Sequence, residues 1–466
     1  MNSNNARFPS GSPPDEPAIS PAELRRVRIA TLLGQSTEWY DFFLYTTAAA
    51  LVFPRVFFSA SFSPLAATLS SFATIAVGFV ARPVGGALFG HLGDRHGRKK
   101  ALVIALALMA AATLAIGLLP GFAAIGIAAP AALLVLRICQ GLALGGQWGG
   151  AVLLATEYAP RGKRGAYGAW AQLGLPLGLI VSSAAFFVAA GATSADSFFA
   201  WGWRVPFLLG GALVVVALLV QMRIDDTPAF RRAAKRRGES HRSPVLQVIR
   251  EHPRRIVVTI GVFLVVGGSF YVYTTGTLAY ATQVLKISRN TMLVSIMIGA
   301  AAMAVSIVIA SRLSDRVGRR PVFLVGAVGT ILWAFPYFAL LDSASPPVVG
   351  VAIAVAMFIN GVMYGPTAAL FSELFPVAVR YSGASLGYQL SNVVGGGFAP
   401  LVMTSLLAST GTSASVAGYV IVMGFITIGA LLALRPSWSG QGDARTTKAG
   451  DPGREVSAPS AGYGTG

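Results

Sequence analysis

The segment TEWYDFFLYTT sets two carboxylates, Glu38 and Asp41, three residues apart inside a run that is otherwise apolar from about Ile29 to Phe53. On insertion scales a charge at the centre of such a run costs about 2.5–3.5 kcal/mol, so ionisable residues there face a protein interior or an aqueous cavity and mark ion or proton paths. Thr31, Gln35, Glu38, Asp41 and Tyr45 recur every three or four residues, which puts them on one stripe of a helix whose other faces are apolar. That stripe is expected to line a cavity. At about 1.5 Å per residue, Asp41 falls roughly 18 Å from Ile29, near the middle of a bilayer. A carboxyl group so placed can take up and release a proton. Arg137, deep in a later apolar run, is its expected partner, or else an anchor for a ligand carboxylate, which guanidinium geometry suits. The competing reading of Glu38, Asp41 and Arg137 is a static buried ion-pair network.

The elements that hold these groups follow from composition. Of 466 residues, 54% are hydrophobic and 12% charged, whereas soluble domains carry about 25% charged residues. Apolar runs of about 20 residues, long enough to cross about 30 Å of hydrocarbon, recur along the chain. Bounded by charges, Gly or Pro, they predict twelve spans at roughly 29–53, 65–91, 100–119, 124–150, 165–190, 203–222, 256–280, 291–311, 321–341, 348–371, 382–407 and 413–434. The fold class expected is an all-α membrane protein. The lone Cys139 excludes an internal disulfide, and the polar, then basic start is unlike a cleavable signal peptide, so the first helix is expected to be retained.

Orientation can be read from basic residues, because loops on the cytoplasmic side carry the Lys and Arg excess. With both termini cytoplasmic, 30 of the 36 Lys and Arg fall in cytoplasmic segments. The same distribution accounts for the net charge of +18 without nucleic acid as a partner. Two patterns repeat at nearly one spacing. GHLGDRHGRKK follows the second span and SRLSDRVGRRP the eighth, aligning Asp94, Arg95, Gly97 and Arg98 with Asp315, Arg316, Gly318 and Arg319. Glu157, Pro160 and Arg164 after the fourth span align likewise with Glu373, Pro376 and Arg380 after the tenth. Duplication of a six-helix unit is implied. The expected organisation is a tail (1–22), a six-helix bundle (23–222), a basic linker (223–255), a second bundle (256–435) and a second tail (436–466), both tails Gly/Ser/Pro-rich and expected to be disordered.

The G-x-x-x-D-R-x-G-R-K loop resembles the signature of the major facilitator superfamily, whose twelve helices form two pseudo-symmetric six-helix bundles around a central cavity. EWYDFFLY, RICQGLALGGQWGGAVLLATEYAPRGKRG, DTPAF and RYSGASLGYQLSNVVGGGFAP are similar to segments of its metabolite:proton symporter family, which includes carriers of shikimate, 2-oxoglutarate, citrate, proline and betaine. The resemblance implies proton-coupled uptake of a small organic acid or zwitterion by alternating access, in the inner membrane. It implies Asp41, Glu38 and Arg137 for proton coupling, and a gate at Asp94, Arg95, Arg98, Asp315, Arg316, Arg319, Glu157, Arg164, Glu373 and Arg380. An Asp ending one helix and an Arg beginning the next can lock helices by charge-assisted hydrogen bonds that release when that side opens. Ser311 replaces the usual Gly of the second copy, so a looser lock is expected there. Gln147 stands where relatives commonly carry Glu, which moves the coupling duty toward the first span.

Arg137, Gln35, Tyr45, Gln147, Gln172, Tyr273, Asn360, Gln389 and Asn392 are the candidates for substrate binding, with Thr277 and Ser385 beside them. Any single amide among them can instead hydrogen-bond between helices. Arg82, about two turns from the charged loop, is expected to snorkel or pair helices. The four histidines lie in or beside loops, and no metal, nucleotide or nucleophile signature is present, so neither a cofactor nor an enzymatic activity is expected. Basic residues Arg231, Arg232, Lys235, Arg236 and Arg237 either lie on the anionic membrane surface or form a solvated loop. The chain is expected to act as a monomer. Proton-coupled efflux of a metabolite or drug is the alternative; a non-transporting receptor is more remote, since it would need a soluble effector domain. The orientation is checked by fusions: alkaline phosphatase inserted within residues 231–243 should be inactive and a fluorescent protein at residue 466 bright, and an active phosphatase there would overturn it.

Overall fold

The computed structural model describes residues 21–96, 98–145, 159, 162–223, 244–376 and 379–434. The two tails and the basic linker around Arg231, Arg232, Lys235, Arg236 and Arg237 therefore lie largely outside the described residues, as do Gln147, Glu157 and Gly97. The side chains of Asp94, Arg95 and Arg98 are likewise not described.

The long helices, named here in chain order, are α1 (Pro21–Leu51), α2 (Pro64–His96), α3 (Arg98–Leu118), α4 (Ala128–Gly145), α5 (Arg164–Gly191, with a step at Leu173) and α6 (Arg204–Arg223). The second half repeats them as α7 (Pro253–Gln283), α8 (Arg289–Val317), α9 (Arg319–Asp342), α10 (Pro346–Leu374), α11 (Arg380–Ser391, Asn392–Gly397 and Ala399–Thr410) and α12 (Ala414–Leu432). Among the described residues, ten of these are long and apolar enough to cross a membrane. The other two are α1, which carries Glu38 and Asp41, and α3, which opens on Arg98, Lys99 and Lys100 before the apolar Val103–Leu118. Several helices run past the expected spans, as α1 from Pro21 and α8 to Val317 do, and the fourth span starts later than expected. Phe122–Ile125 is a separate turn ended by Gly126 at φ 55°, a conformation that favours glycine, so α4 starts at Ala128.

Duplication is visible in the packing. In the first half α1 lies along α5, α2 along α4 and α3 along α6; in the second α7 lies along α11, α8 along α10 and α9 along α12. Without a hydrophobic drive between helices in lipid, small residues decide such pairings. A Cβ on Gly145 would strike the Arg82 carbonyl, and one on Gly365 would sit 2.8 Å from the Ile307 carbonyl. The halves meet along α5 with α8 and α10, α2 with α11, and α1 with α7. Here the glycine run of α11 forms a π-helical turn at Asn392–Gly397, bringing Gly397 against Phe79 and Gly396 against Tyr271.

The bundles are bridged at both ends. At the end carrying the α8–α9 turn, Asp315 Oδ1 accepts from the Gly165 N–H (2.8 Å) and Oδ2 from the Ala166 N–H (2.9 Å). A carboxylate thus sits on the first turn of α5, where unpaired N–H groups and the helix dipole favour an anion. Arg319 Nη1 holds Asp315 at 2.6 Å and Ser314 Oγ at 2.8 Å, while Nη2 reaches Glu373 at 3.3 Å. Ser311 is buried and leaves this set of contacts in place. Gly318, at φ 96°, makes the turn between Asp315 and Arg319. Arg316 and Arg164 are exposed, and Arg380 Nε donates to the Phe375 carbonyl (3.4 Å). At the opposite end Thr68 donates to Gln283 Oε1 (3.0 Å), Gln283 Nε2 donates to the Ala50 carbonyl (3.3 Å), and Arg289 stacks 4.1 Å from the Phe198 ring centroid.

Asp315→Asn keeps the shape and removes the charge. Hydrogen bonds to charged groups are worth about 1.5–3 kcal/mol, so the variant should shift the population at least about tenfold toward conformers open at this end. Thiol modification of a cysteine at the buried Ser372, with Cys139 replaced by Ser, should quicken correspondingly, and an unchanged rate would count against the lock.

Candidate proton and substrate site

Asp41 lies inside the first bundle, 1% exposed. α1 supplies it, α3 and α4 satisfy it. The hydroxyl of Thr113 donates to Oδ1, and Gln140 Nε2 donates to Oδ2 at 3.2 Å and to the Thr113 oxygen at 3.0 Å. Arg137 Nη1 donates to Gln140 Oε1 at 3.1 Å, which turns the amide so that its N–H₂ group faces the carboxylate. Arg137 and Asp41 are therefore linked through Gln140. A hydroxyl can donate or accept, so Thr113 can serve Asp41 in either protonation state by rotating. The guanidinium of Arg137 is held over the rings of Tyr45 (4.0 Å) and Phe42 (4.7 Å), a cation–π arrangement. Its stem occupies the space left by Gly78, where a Cβ would come 2.9 Å from Arg137 Cγ. Tyr45 is itself anchored by donating to Thr74 Oγ1 at 2.6 Å.

Glu38 turns elsewhere. It is half-buried, accepts from Gln35 Nε2 at 2.9 Å, and shares its electrostatic environment with Arg82 of α2. Of the two roles expected for Arg82, snorkelling or helix pairing, the structure does not have the first. The side chain is 4% exposed, with its guanidinium over the rings of Phe42 (4.5 Å) and Phe79 (4.2 Å), between the bundles. Phe42, one residue after Asp41, thus contacts both guanidinium groups. The polar stripe of α1 divides, with Asp41 and Tyr45 directed into the first bundle and Glu38 toward Arg82.

The remaining candidates scatter. Gln172 Nε2 donates to the Tyr364 carbonyl (2.9 Å), joining α5 to α10 across the bundles. Asn360 Nδ2 donates to the Val266 carbonyl (2.8 Å) and Ser269 Oγ (3.0 Å), joining α10 to α7. Asn392 Nδ2 donates to the Tyr388 carbonyl of its own helix, 2.9 Å away. Tyr273 packs on Tyr337 with centroids 4.5 Å apart, and Thr277 shares a 2.7 Å hydrogen bond with the Tyr337 hydroxyl. Gln389 is buried with Oε1 lacking a partner among the described residues, and Ser385 is half-buried. A cleft of about 520 Å³ opens between the first residues of α8 and α10 and Phe187, and none of these polar groups lines it.

Sequence reasoning missed Thr113, Gln140 and three tyrosines, Tyr271, Tyr364 and Tyr388. Gln140 was within reach of the argument, since it stands three residues from Arg137 in RICQG and so shares its face. The tyrosines carry no such signal, because their neighbours come from other helices.

Comparison with known proteins now places this arrangement. The model of the Major Facilitator Superfamily matches residues 32–400. The chain is 39% identical over 412 residues to the inner membrane metabolite transport protein YhjE of Escherichia coli (strain K12), covering 87% of this chain and 93% of that one. It is 38% identical over 397 residues to the shikimate transporter of the same organism (84% and 90%), and 30% identical over 423 residues to the glycine betaine/proline/ectoine/pipecolic acid transporter OusA of Dickeya dadantii (strain 3937) (88% and 83%). In fold it resembles the xylose transporter XylE from E. coli, in a partially occluded inward-open conformation, with a TM-score of 0.66 at 20% identity over 88% of this chain and 97% of that one. The chain belongs to the major facilitator superfamily, within its metabolite:proton symporter family.

Proposed function

We propose that this inner-membrane protein imports a small carboxylate or zwitterion together with a proton, by alternating access and as a monomer. The observation that carries the reading is Asp41, a carboxyl buried at the level of the bundle core and wired through Gln140 to Arg137. Such a group is costly to keep in hydrocarbon and is retained where it works. Metabolite, shikimate and betaine/proline carriers among the relatives support uptake of an organic acid or zwitterion. The distribution of Lys and Arg supports cytoplasmic termini and linker, with the Asp315 lock on the cytoplasmic side.

In this reading the protein receives its proton at Asp41 and Glu38 while the outer bridges through Gln283 and Arg289 are open. Thr113 and Gln140 satisfy Asp41, and Arg137 positions Gln140. Substrate enters between the bundles, where Gln35 and Gln389 offer amides, the latter with an unpartnered oxygen. Tyr45, Gln172, Tyr273, Asn360 and Asn392 hold the walls, in keeping with the contacts each makes. The bundles then rock, the bridges to Asp315 release, and the substrate and proton leave inward.

Asp41→Asn tests this in proteoliposomes with an inward proton gradient and labelled shikimate, 2-oxoglutarate, proline and glycine betaine. The wild type should accumulate at least one of them. The variant should lose accumulation above equilibrium while retaining counterflow; undiminished uphill uptake would refute the assignment.

A further inference from the structure

Among the described residues, Arg82 is a buried cation that neither the proton path through Asp41 nor the Asp315 lock uses. It projects from α2 to the plane where the halves meet. Its guanidinium rests on Phe42 and Phe79. Tyr271 of α7 packs against the same two rings, with centroids 6.0 and 5.4 Å away, and Gly397 of α11 closes on Phe79. Tyr364 of α10 and Tyr388 of α11, their hydroxyls 3.5 Å apart, share the electrostatic surroundings of Arg82. Two donors at this place have no acceptor among the described residues, Arg82 Nε and the Tyr271 hydroxyl, and both residues are at least nine-tenths buried. Buried N–H and O–H groups are almost always paired in folded proteins, so donors converging without an acceptor mark a place for an anionic ligand. Among the described residues no carboxylate forms an ion pair with Arg82. Glu38 is the carboxylate whose charge it feels, and Glu38 bonds Gln35 instead.

We infer that Arg82 is the residue that binds the substrate carboxylate, with the Tyr271, Tyr364 and Tyr388 hydroxyls around it, and that the substrate and Glu38 compete for its charge. The inference rests on the symport reading and names the anchor within it. Arg137 also carries unpartnered buried donors, Nε and Nη2, but it lies inside the first bundle, with Nη1 on Gln140 and its guanidinium over Tyr45 and Phe42, and not between the halves. The arrangement also supplies a coupling rule. With the site empty, ionised Glu38 balances Arg82. A substrate carboxylate on Arg82 would set two anions against one guanidinium in a low-dielectric setting, so the substrate enters with a proton on Glu38. Binding free energies are reciprocal, and a proton on Glu38 therefore favours substrate by the same factor. The other ionisable groups whose charge reaches Arg82 are Tyr271, Tyr364 and Tyr388 from the second bundle and Arg137 from the first, whereas Asp41 and Tyr45 neighbour Arg137. The tyrosines are neutral across the physiological range and Arg137 stays charged. Asp41 faces Thr113 and Gln140, so Glu38 is the group whose proton tracks the ligand.

Calorimetric titration of the full-length protein in nanodiscs tests both halves of the inference, using shikimate, 2-oxoglutarate, proline and glycine betaine as probes in buffers of different ionisation enthalpy. The wild type should bind at least one probe and take up a proton as it does. Arg82→Lys should weaken that binding about tenfold and Arg82→Gln about a hundredfold, each with an unchanged thermal unfolding midpoint. Glu38→Gln should bind without proton uptake and with a Kd independent of pH between about 5 and 8. A folded Arg82→Lys or Arg82→Gln protein that binds as the wild type does overturns the anchor, and proton uptake persisting in Glu38→Gln overturns the competition. A wild type that binds none of the four overturns the symport reading together with this one, whereas wild-type symport undiminished by Arg82→Gln sinks this inference alone.

Discussion

An ionised carboxylate in the hydrocarbon layer survives only where its oxygens are hydrogen-bonded and a cation is at hand. Asp41 meets that condition with neutral groups. Thr113 and Gln140 face it directly, and the positive charge of Arg137 arrives one residue removed, through the Gln140 amide. A direct pair would hold the carboxylate ionised; an intervening amide and a rotatable hydroxyl leave both protonation states satisfied. The aromatic surfaces of Phe42 and Tyr45 hold Arg137 in place without neutralising it. Glycines make the arrangement sterically feasible, since Gly78 leaves room for the Arg137 stem and Gly174 and Gly178 let α5 lie directly on α1 at Gln35 and Trp39.

The network belongs to one bundle, yet it touches the other through a layer of rings. Phe42 packs on Tyr271 and Phe43 on Phe270, with centroids 6.0 and 5.7 Å apart. Close-packed interfaces have discrete arrangements, so rocking of one bundle past the other must repack this layer and change what lies beside Arg82, Glu38 and Phe42. With Asp315 on α5 at one end and Gln283 and Arg289 bridging at the other, the conformation described is closed on both sides. Such a state is the one in which a bound ligand would be enclosed.

Much of this was legible in the chain. The helix count and the pairing of α2–α3 with α8–α9 followed from apolar runs and from two copies of one charged loop, because hydrocarbon thickness and backbone satisfaction leave a helix few alternatives. The α1 stripe pointed to Asp41 and Glu38 but not to their parting company. A helical face is about 100° wide, and whether a side chain on it meets α3 or α2 depends on neighbours remote in sequence. Arg82 was half legible for the same reason. Its distance from the charged loop suggested snorkelling or helix pairing, and burial of its guanidinium over Phe42 of α1 and Phe79 leaves only the second. Gln172 and Asn360, read as cavity groups or as hydrogen bonds between helices, bond backbone carbonyls of α10 and α7, as the second reading has it.

The central claim is that the α1 carboxyl groups gain and lose protons inside the membrane. Infrared difference spectroscopy of the protein in lipid, stepped in pH with and without ligand, observes this directly. A protonated-carboxyl C=O band should rise as pH falls and vanish when Asp41 and Glu38 are both amides. A spectrum in which no carboxyl band depends on these two residues, at any pH at which the protein transports, would contradict the account.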